Sequence, residues 1–303
     1  MALTLTSQAE FTEALANEGK ELVFFIHGFS SEPKGMVVGT DNMQTNFNLS
    51  PQKPKNKEVL VVPVDWACTD PKGSILTRYH RDQENSAVAG TALWKLFSGL
   101  KTNSKHTLNV IAHSMGNRVL RCVGKSAVSD DSSWYTDALQ DGVSLHEAAP
   151  EGLKRDENLF DNLFFVAADI PDTVFEEPDG KEHREQQEHA LKSGVAALAV
   201  MTKRMHVLHA DTDNMLRGSK LVNGWSRRLG IYGPKSVWEK IGNTLEKTES
   251  IDGSVNDKNV HVLDCSGWNH KVPSKVGKVT GHGYFATPES VAYYLKHMPK
   301  RRM

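Results

Sequence analysis

The sequence predicts an α/β protein with a mostly parallel central sheet of about six to eight strands and helices on both faces. Two patterns support this prediction. Short, continuous apolar runs such as Leu22–Ile26 are typical of strands that are buried on both faces. Segments with helical apolar spacing alternate with these runs, which implies right-handed β-α-β units. Repeats, low-complexity tracts and linkers are not evident, so we expect residues 1–303 to form a single domain.

Six apolar runs are the predicted strands. They are Leu22–Ile26, Val59–Val62, Thr107–Ala112, Leu163–Ala168, Met205–His209 and Val260–Leu263. Pro63 follows the second run. Because proline cannot donate a ladder hydrogen bond, we expect that strand to end there.

Apolar residues three or four positions apart predict the helices between the strands. The first helix follows the capping box Ser7-Gln-Ala-Glu10 and covers about the first sixteen residues. The long polar segment 29–57 should hold one short helix. The other predicted helices are Gln83–Leu100 with a stop near Gly99, the helix after Ser114, Lys181–Lys203, Asn214–Leu229, Ser236–Leu245 and a last helix capped by Thr287-Pro288.

Composition excludes several classes of function. The net charge of −1 produces no general attraction to nucleic acid or to a membrane surface. No apolar stretch in the sequence approaches the length of a membrane span. The cysteines Cys68, Cys122 and Cys265 are odd in number and far apart, which argues against a disulfide framework. With Glu10 and Glu13 where a signal peptide would be apolar, we expect a cytoplasmic protein.

The segment Asn109–Asn117 carries the strongest functional motif in the chain. It predicts a buried strand, a sharp corner at Ser114, and a helix that opens with Met115 and Gly116. This order of strand, turn and helix is the context in which a G-x-S-x-G serine acts as a nucleophile. Gly116 and Ala112 are small enough for the strand and helix to cross closely, although Ala112 replaces the first glycine of the motif.

Other motifs accompany this corner. A strand that ends in His27-Gly28-Phe29 precedes it, and the loop Gly281-His-Gly-Tyr-Phe285 lies near the other end of the chain. Together with Ala112-His-Ser-Met-Gly116, they resemble the α/β-hydrolase superfamily, and within it a branch of uncharacterised bacterial esterase/lipase-like serine hydrolases. The resemblance covers residues 20–298, with supporting matches at Val64-Asp-Trp66, Tyr79 with Asp82, and Ala167-Ala-Asp169.

The chain departs from the family pattern in two respects. The space before Leu22 is short for the first two antiparallel strands of the superfamily. The segments 128–158 and 233–258 are longer than a minimal core requires. We expect the segment 128–158 to be a cap or lid insertion over the pocket, with a surface excursion as the alternative.

The resemblance implies a catalytic triad in the chain order serine, acid, histidine. Ser114 is the expected nucleophile, and His282, in the loop before the last helix, is the expected base. His270 is the alternative base. Asp213 follows the strand after which the superfamily usually places its acid. The alternative acids are Asp211, two residues earlier, and Asp169 at the end of the preceding strand.

The oxyanion of an acyl-transfer reaction needs fixed hydrogen-bond donors. The expected donors are the backbone N–H groups of Met115, just after the nucleophile, and Phe29, after His27-Gly28. We expect His27 and His113 to be structural, with His113 pointing away from Ser114.

The remaining histidines give no reason to expect a metal. An offset of three residues puts His206 and His209 on opposite faces of a strand, and His183 and His189 are poorly spaced for one helical face. Phosphate-loop, dinucleotide and Cys-x-x-Cys motifs are not present in the sequence. We therefore expect neither a metal nor a cofactor.

These expectations favour a serine hydrolase that cleaves a small-molecule carboxylic ester through an acyl-enzyme. A thioesterase or amidase would use the same triad. A non-catalytic binding protein with the hydrolase fold is the other alternative. The sequence does not determine acyl size, alcohol group or oligomeric state.

Overall fold

The structure is a computed structural model. It describes residues 8–29, 33–54, 58–67, 74–103, 108–130, 159–175, 194–195, 197–198, 201–234, 251–252, 259–271 and 281–298. Its strands are β1 (Glu21–Ile26), β2 (Val59–Val64), β3 (Leu108–His113), β4 (Phe160–Val166), β5 (Thr202–His209), β6 (Ile251–Asp252) and β7 (Asn259–Asp264).

These strands form one sheet in the order β2-β1-β3-β4-β5-β7-β6. All neighbouring pairs from β2 to β7 are parallel, and the short edge strand β6 runs antiparallel to β7. The predicted fold class, a mostly parallel sheet, is therefore confirmed.

Helices connect the strands. They are α1 (Gln8–Ala16), α2 (Pro33–Leu49), α3 (Ile75–Asn103), α4 (Gly116–Asp130), α5 (Asn214–Val222), α6 (Leu229–Tyr232) and α7 (Pro288–His297). Within the described ranges, short 3-10 helices cover Asp172–Phe175, Ser266–Lys271 and Tyr284–Ala286.

Hydrophobic cores lie on both faces of the sheet. On β1, Leu22, Phe24 and Ile26 face the core formed with α3 and α4, whereas Val23 and Phe25 face the core formed with α2 and α7. The continuous apolar run is thus explained, because alternate residues of a parallel strand need an apolar partner on each side.

Two predictions about element ends are wrong for reasons that depend on the tertiary structure. Strand β2 continues through Pro63 to Val64. It is the edge strand of the sheet, and an edge tolerates a residue that cannot donate to a neighbour. The predicted helix Lys181–Lys203 cannot reach its predicted end, because β5 already begins at Thr202.

Three other helices differ from the prediction in length. Helix α2 has 17 residues rather than one short piece, and α3 has 29 residues and passes Gly99. The predicted helix Asn214–Leu229 ends at Val222 as α5, and the next helix, α6, begins only at Leu229. Between them Gly224 and Trp225 have positive φ values of 62° and 64°, which a continuous α-helix cannot contain.

The predicted helix Ser236–Leu245 and the predicted cap at 128–158 lie essentially outside the described residues, apart from the last turn of α4. The single-domain and cytoplasmic assignments stay predictions. Among the described residues, none of the helices combines the length and the apolarity that a membrane crossing requires.

Candidate active site

The sheet topology creates a crevice at the carboxyl ends of β1 and β3. The chain goes from β1 outward to β2, then returns to place β3 on the other side of β1. At such a reversal of strand order, the loops after the two central strands separate and leave room for a ligand. Gly28 follows β1 and Ser114 follows β3, so both lie at this crevice.

Ser114 occupies a strained corner between β3 and α4. Its φ of 54° is in the left-handed region, which is unfavourable for a residue with a side chain. Gly116 permits the turn, because a Cβ there would come within 2.4 Å of the carbonyl oxygen of Ile26. The predicted strand, corner and helix are therefore all present.

The side chain of Asn117 holds this corner in place. Its Nδ2 donates to the carbonyl oxygens of Ala112 at 2.9 Å, Ser114 at 3.0 Å and Val166 at 3.2 Å. Asn117 is fully buried. These bonds tie the end of β3, the corner and the end of β4 together, and they stabilise the strained backbone of Ser114.

The loop after β1 lies directly against the serine. A Cβ at Gly28 would come within 2.8 Å of the Cβ of Ser114, so this close approach requires glycine. In the part of the chain that the structure describes, no hydrogen bond occupies the backbone N–H of Phe29 or Met115. Both of the donors expected from the sequence are thus available beside the crevice.

His282 and Asp213 form a buried pair. The Nδ1 atom of His282 is 2.7 Å from Oδ2 of Asp213. The side chain of Asp213 is fully buried, whereas that of His282 is 15% exposed. The other oxygen of Asp213, Oδ1, accepts a hydrogen bond from the backbone N–H of Leu216 at 3.0 Å and caps α5. The carboxylate is therefore fixed from two sides.

The two alternative acids have other partners. Asp169 accepts hydrogen bonds from the hydroxyl groups of Tyr79, at 2.6 Å, and Ser219, and it pairs with Nε of Arg228 at 3.0 Å. Asp211 is exposed. Of the three aspartates, Asp213 is the one paired with His282.

Two histidines support the surrounding loops. The Nδ1 atom of His27 is 2.9 Å from the carbonyl oxygen of Gly28, and its ring stacks on Trp66. The Nε2 atom of His113 is 2.9 Å from the carbonyl oxygen of His282. We expected His113 to point away from Ser114, but it lines the same pocket, where it contacts the loop that carries His282.

A pocket of about 360 Å³ lies over these groups. Ser114, His282, Gly28 and Phe29 all contribute to its lining. Apolar side chains from α3 and α5 form much of the rest, namely Ile75, Met215, Leu216 and Val222. The rival base His270 belongs to the 3-10 helix Ser266–Lys271.

The whole arrangement agrees with the comparison to known families. Residues 4–295 match the model of a family described as alpha/beta hydrolase of unknown function (DUF900). The chain belongs to this family. The resemblance to the α/β-hydrolase superfamily is therefore confirmed. Neither the curated proteins nor the solved structures include a significant match.

Sequence reasoning missed several residues that organise the site of this alpha/beta hydrolase. Asn117 lies within the serine motif, yet nothing in the motif indicates its three bonds to the corner. Tyr284, two residues after His282, donates to the carbonyl oxygen of Leu208 at 2.9 Å and accepts from the N–H of Ala167 at 3.0 Å. It thereby links β5 and β4 below the His282 loop. The sequence signal for Tyr284 was its position in the motif Gly281–Phe285, which also contains His282.

The buried histidines should make the folded alpha/beta hydrolase sensitive to acid. Burial lowers the pKa of His113 well below 6.5, and the neighbouring His282 ring lowers it further. Below about pH 6.5 the unfolded chain therefore binds a proton that the folded chain does not bind. We expect the free energy of unfolding to fall as the pH drops from about 6.5 toward the lowered pKa, by up to about 1.4 kcal/mol per pH unit for this group.

Urea unfolding between about pH 5 and pH 8 measures this dependence. His113→Asn should make the slope of unfolding free energy against pH shallower below about pH 6.5. An unchanged slope in this variant would show that His113 does not contribute. Burial also lowers the pKa of His27, so His27→Asn is a second test of the same effect.

Proposed function

We propose that the protein is a serine hydrolase that cleaves carboxylic esters through an acyl-enzyme intermediate. In this proposal Ser114 is the nucleophile, His282 is the general base, and Asp213 orients the base. The observation that supports it most strongly is the bond of 2.7 Å between Asp213 and His282, which lines the same pocket as Ser114. A histidine fixed by a buried carboxylate is the arrangement that activates a serine hydroxyl.

The proposed chemistry follows from this arrangement. Asp213 accepts a hydrogen bond from the N–H group at Nδ1 of His282, which leaves the lone pair on Nε2 to receive the proton of Ser114. The serine oxygen attacks the ester carbonyl carbon, and the protonated His282 then donates to the departing alkoxide. In the second half of the reaction, His282 removes a proton from a water molecule, which attacks the acyl carbonyl carbon. The carboxylic acid is released, and the Ser114 oxygen regains its proton from His282.

The backbone N–H groups of Met115 and Phe29 are the proposed oxyanion donors. Met115 stands at the start of α4, where the helix dipole adds favourable positive potential. Phe29 follows Gly28, which packs against Ser114. Two donors directed at the developing negative charge are worth several kcal/mol of transition-state stabilisation, about 3–4 kcal/mol for each donor.

The pocket suggests the chemistry of the substrate. Its walls carry apolar side chains from α3 and α5. The lining also includes Asp169, but its negative charge is compensated by Arg228 and by hydrogen bonds from Tyr79 and Ser219. A volume of about 360 Å³ fits a small-molecule ester with an apolar acyl chain. Thioester or amide cleavage would use the same groups. We favour esters over amides because an alkoxide leaving group needs less general-acid assistance than an amide nitrogen.

Covalent labelling tests this proposal directly. A fluorophosphonate probe should modify the folded protein at Ser114, and peptide mass spectrometry should locate the adduct. A panel of p-nitrophenyl esters of increasing chain length then reports the acyl preference. Folded protein that stays unlabelled would refute the proposal and would favour a binding protein with this fold.

A further inference from the structure

Three histidines meet on the face of the sheet that α7 covers. His206 on β5 and His261 on β7 are direct neighbours in the parallel register, and His297 is the last residue of α7. The possible ligand nitrogens, one from each ring, lie within 4.8 Å of one another. His206 and His261 are buried, and His297 is partly buried.

This histidine cluster, His206, His261 and His297, is separate from the pocket around Ser114. His206 precedes the end of β5 by three residues, which corresponds to about 10 Å along a strand. None of the three histidines lines the pocket. The proposed hydrolysis does not use them.

Hydrogen bonds across the sheet determine the tautomer of His206. They begin at the carboxylate of Glu21, which accepts from Nδ2 of Asn109 at 2.9 Å. Oδ1 of Asn109 accepts from Nδ2 of Asn162 at 2.7 Å, and Oδ1 of Asn162 lies 3.1 Å from Nε2 of His206. Because a carboxylate accepts only, each step has a fixed direction, and Nε2 of His206 carries the proton.

The lone pair of His206 therefore belongs to Nδ1. This atom lies 3.1 Å from the hydroxyl group of Tyr293 on α7, the helix that also carries His297. A histidine whose second nitrogen donates to a fixed oxygen is the usual form of a metal ligand, because that bond sets both the tautomer and the ring orientation. Asn162 supplies this oxygen before any metal is bound.

The donor atoms of the cluster select the type of ion. Among the described residues, no carboxylate belongs to the cluster. Three imidazoles without an acid suit Zn²⁺, Cu²⁺ or Ni²⁺ and do not suit Mg²⁺ or Ca²⁺, which need oxygen ligands.

We propose that His206, His261 and His297 form a binding site for a divalent transition metal, with Zn²⁺ as the ion tested. Bonds of about 2.0–2.1 Å in a tetrahedron place nitrogens about 3.3 Å apart. Binding would therefore draw the rings together by at most about 1.5 Å from the separation of 4.8 Å. The hydroxyl group of Tyr293 or a water molecule would complete the coordination.

The role of this site is structural. The metal would join β5 and β7 to α7, the helix that begins six residues after His282. It would add to the existing link between these elements, in which Nη1 of Arg204 donates to the carbonyl oxygen of His297 at 2.9 Å. Zn²⁺ should therefore stabilise the folded chain without contacting a substrate.

The test uses the full chain after removal of metal with EDTA. Titration with Zn²⁺ against a chromophoric chelator should show one equivalent bound, and Co²⁺ should give the visible absorption of a tetrahedral site. Zn²⁺ at about 100 times its Kd should raise the Tm by roughly 5 °C.

Two ligand variants and one control decide the outcome. His261→Phe keeps a flat ring stacked near His206 but removes the nitrogen, and His297→Gln changes the partly buried ligand. Since loss of an outer partner already weakens binding 10–100-fold, each variant should weaken it by more than about 100-fold. The control His80→Gln alters an exposed histidine on α3 and should bind like the parent.

Circular dichroism shows whether each variant is folded. Folded parent protein that binds neither Zn²⁺ nor Co²⁺ would overturn the proposal. Binding that survives both ligand variants would also overturn it, because the ion would then lie elsewhere. All of these measurements are made without a substrate, so they do not depend on the role proposed for Ser114.

Discussion

Replacing Ser114 with alanine should abolish ester hydrolysis while leaving the fold unchanged. We expect kcat to fall by about 10⁵-fold, which corresponds to roughly 7 kcal/mol of transition-state stabilisation. A small residual rate should remain, because the oxyanion donors and the pocket still bind the transition state of attack by water. Steady-state kinetics with a p-nitrophenyl ester, together with loss of fluorophosphonate labelling, measure this effect.

The fold should tolerate this substitution well. Ser114 has a φ of 54°, and alanine has the same backbone restriction as serine, so the strain at the corner does not change. The three bonds from Asn117 to main-chain oxygens also remain. The matched control is Ser126→Ala, farther along α4, where the hydroxyl group contacts that of Thr91 at 3.0 Å. A Ser114→Ala protein with the activity of this control would refute the nucleophile assignment.

The sheet could be predicted because its signal is local. Each buried strand is an apolar run, and the reason is that residues such as Phe24 and Phe25 face different cores. The ends of the strands and helices were harder to predict. Strand β2 passes Pro63 because it lies at the edge, and position in a sheet is set by tertiary contacts that a single run of residues does not reveal.

The candidate site was predictable to the extent that it follows chain order and loop position. Ser114 comes directly after β3, Asp213 lies in the loop after β5, and His282 lies in the connection between β7 and α7. Parallel strands bring their carboxyl ends to one edge of the sheet. The choice among three aspartates required coordinates, because all three follow strands. The structure pairs Asp213 with His282 and Asp169 with Arg228, and neither partner adjoins its aspartate in sequence.

The histidine cluster shows the limit of reasoning within one element. The twofold period of a strand puts His206 and His209 on opposite faces, so these two residues should not share an ion. Other ligands can, however, come from other elements. The neighbour of His206 is His261, because β5 pairs with β7, and the third ring comes from the end of α7. The pairing of β5 with β7 and the packing of α7 on the sheet bring these residues together. Neither can be predicted from a short stretch of sequence.

Replacing Asp213 with asparagine should separate the catalytic role of this residue from its structural role. Asparagine retains an oxygen that can cap α5 by accepting from Leu216, and it is as good a helix N-cap as aspartate. Its amide nitrogen, however, would replace the oxygen that faces Nδ1 of His282. Two donors cannot face each other, so His282 would take the tautomer with the proton on Nε2, and Nε2 could no longer accept the proton of Ser114.

We therefore expect Asp213→Asn to lower kcat by about 10⁴-fold, with a Tm close to that of the parent. The other candidate acids provide the comparison. Asp211→Asn changes an exposed side chain and should leave kcat within about twofold of the parent. Asp169→Asn breaks a buried pair and leaves Arg228 uncompensated, so it should cost about 3–5 kcal/mol of unfolding free energy. If Asp169→Asn lost the activity and Asp213→Asn kept it, the acid would be Asp169, and the pair of His282 and Asp213 would serve only to hold the loop.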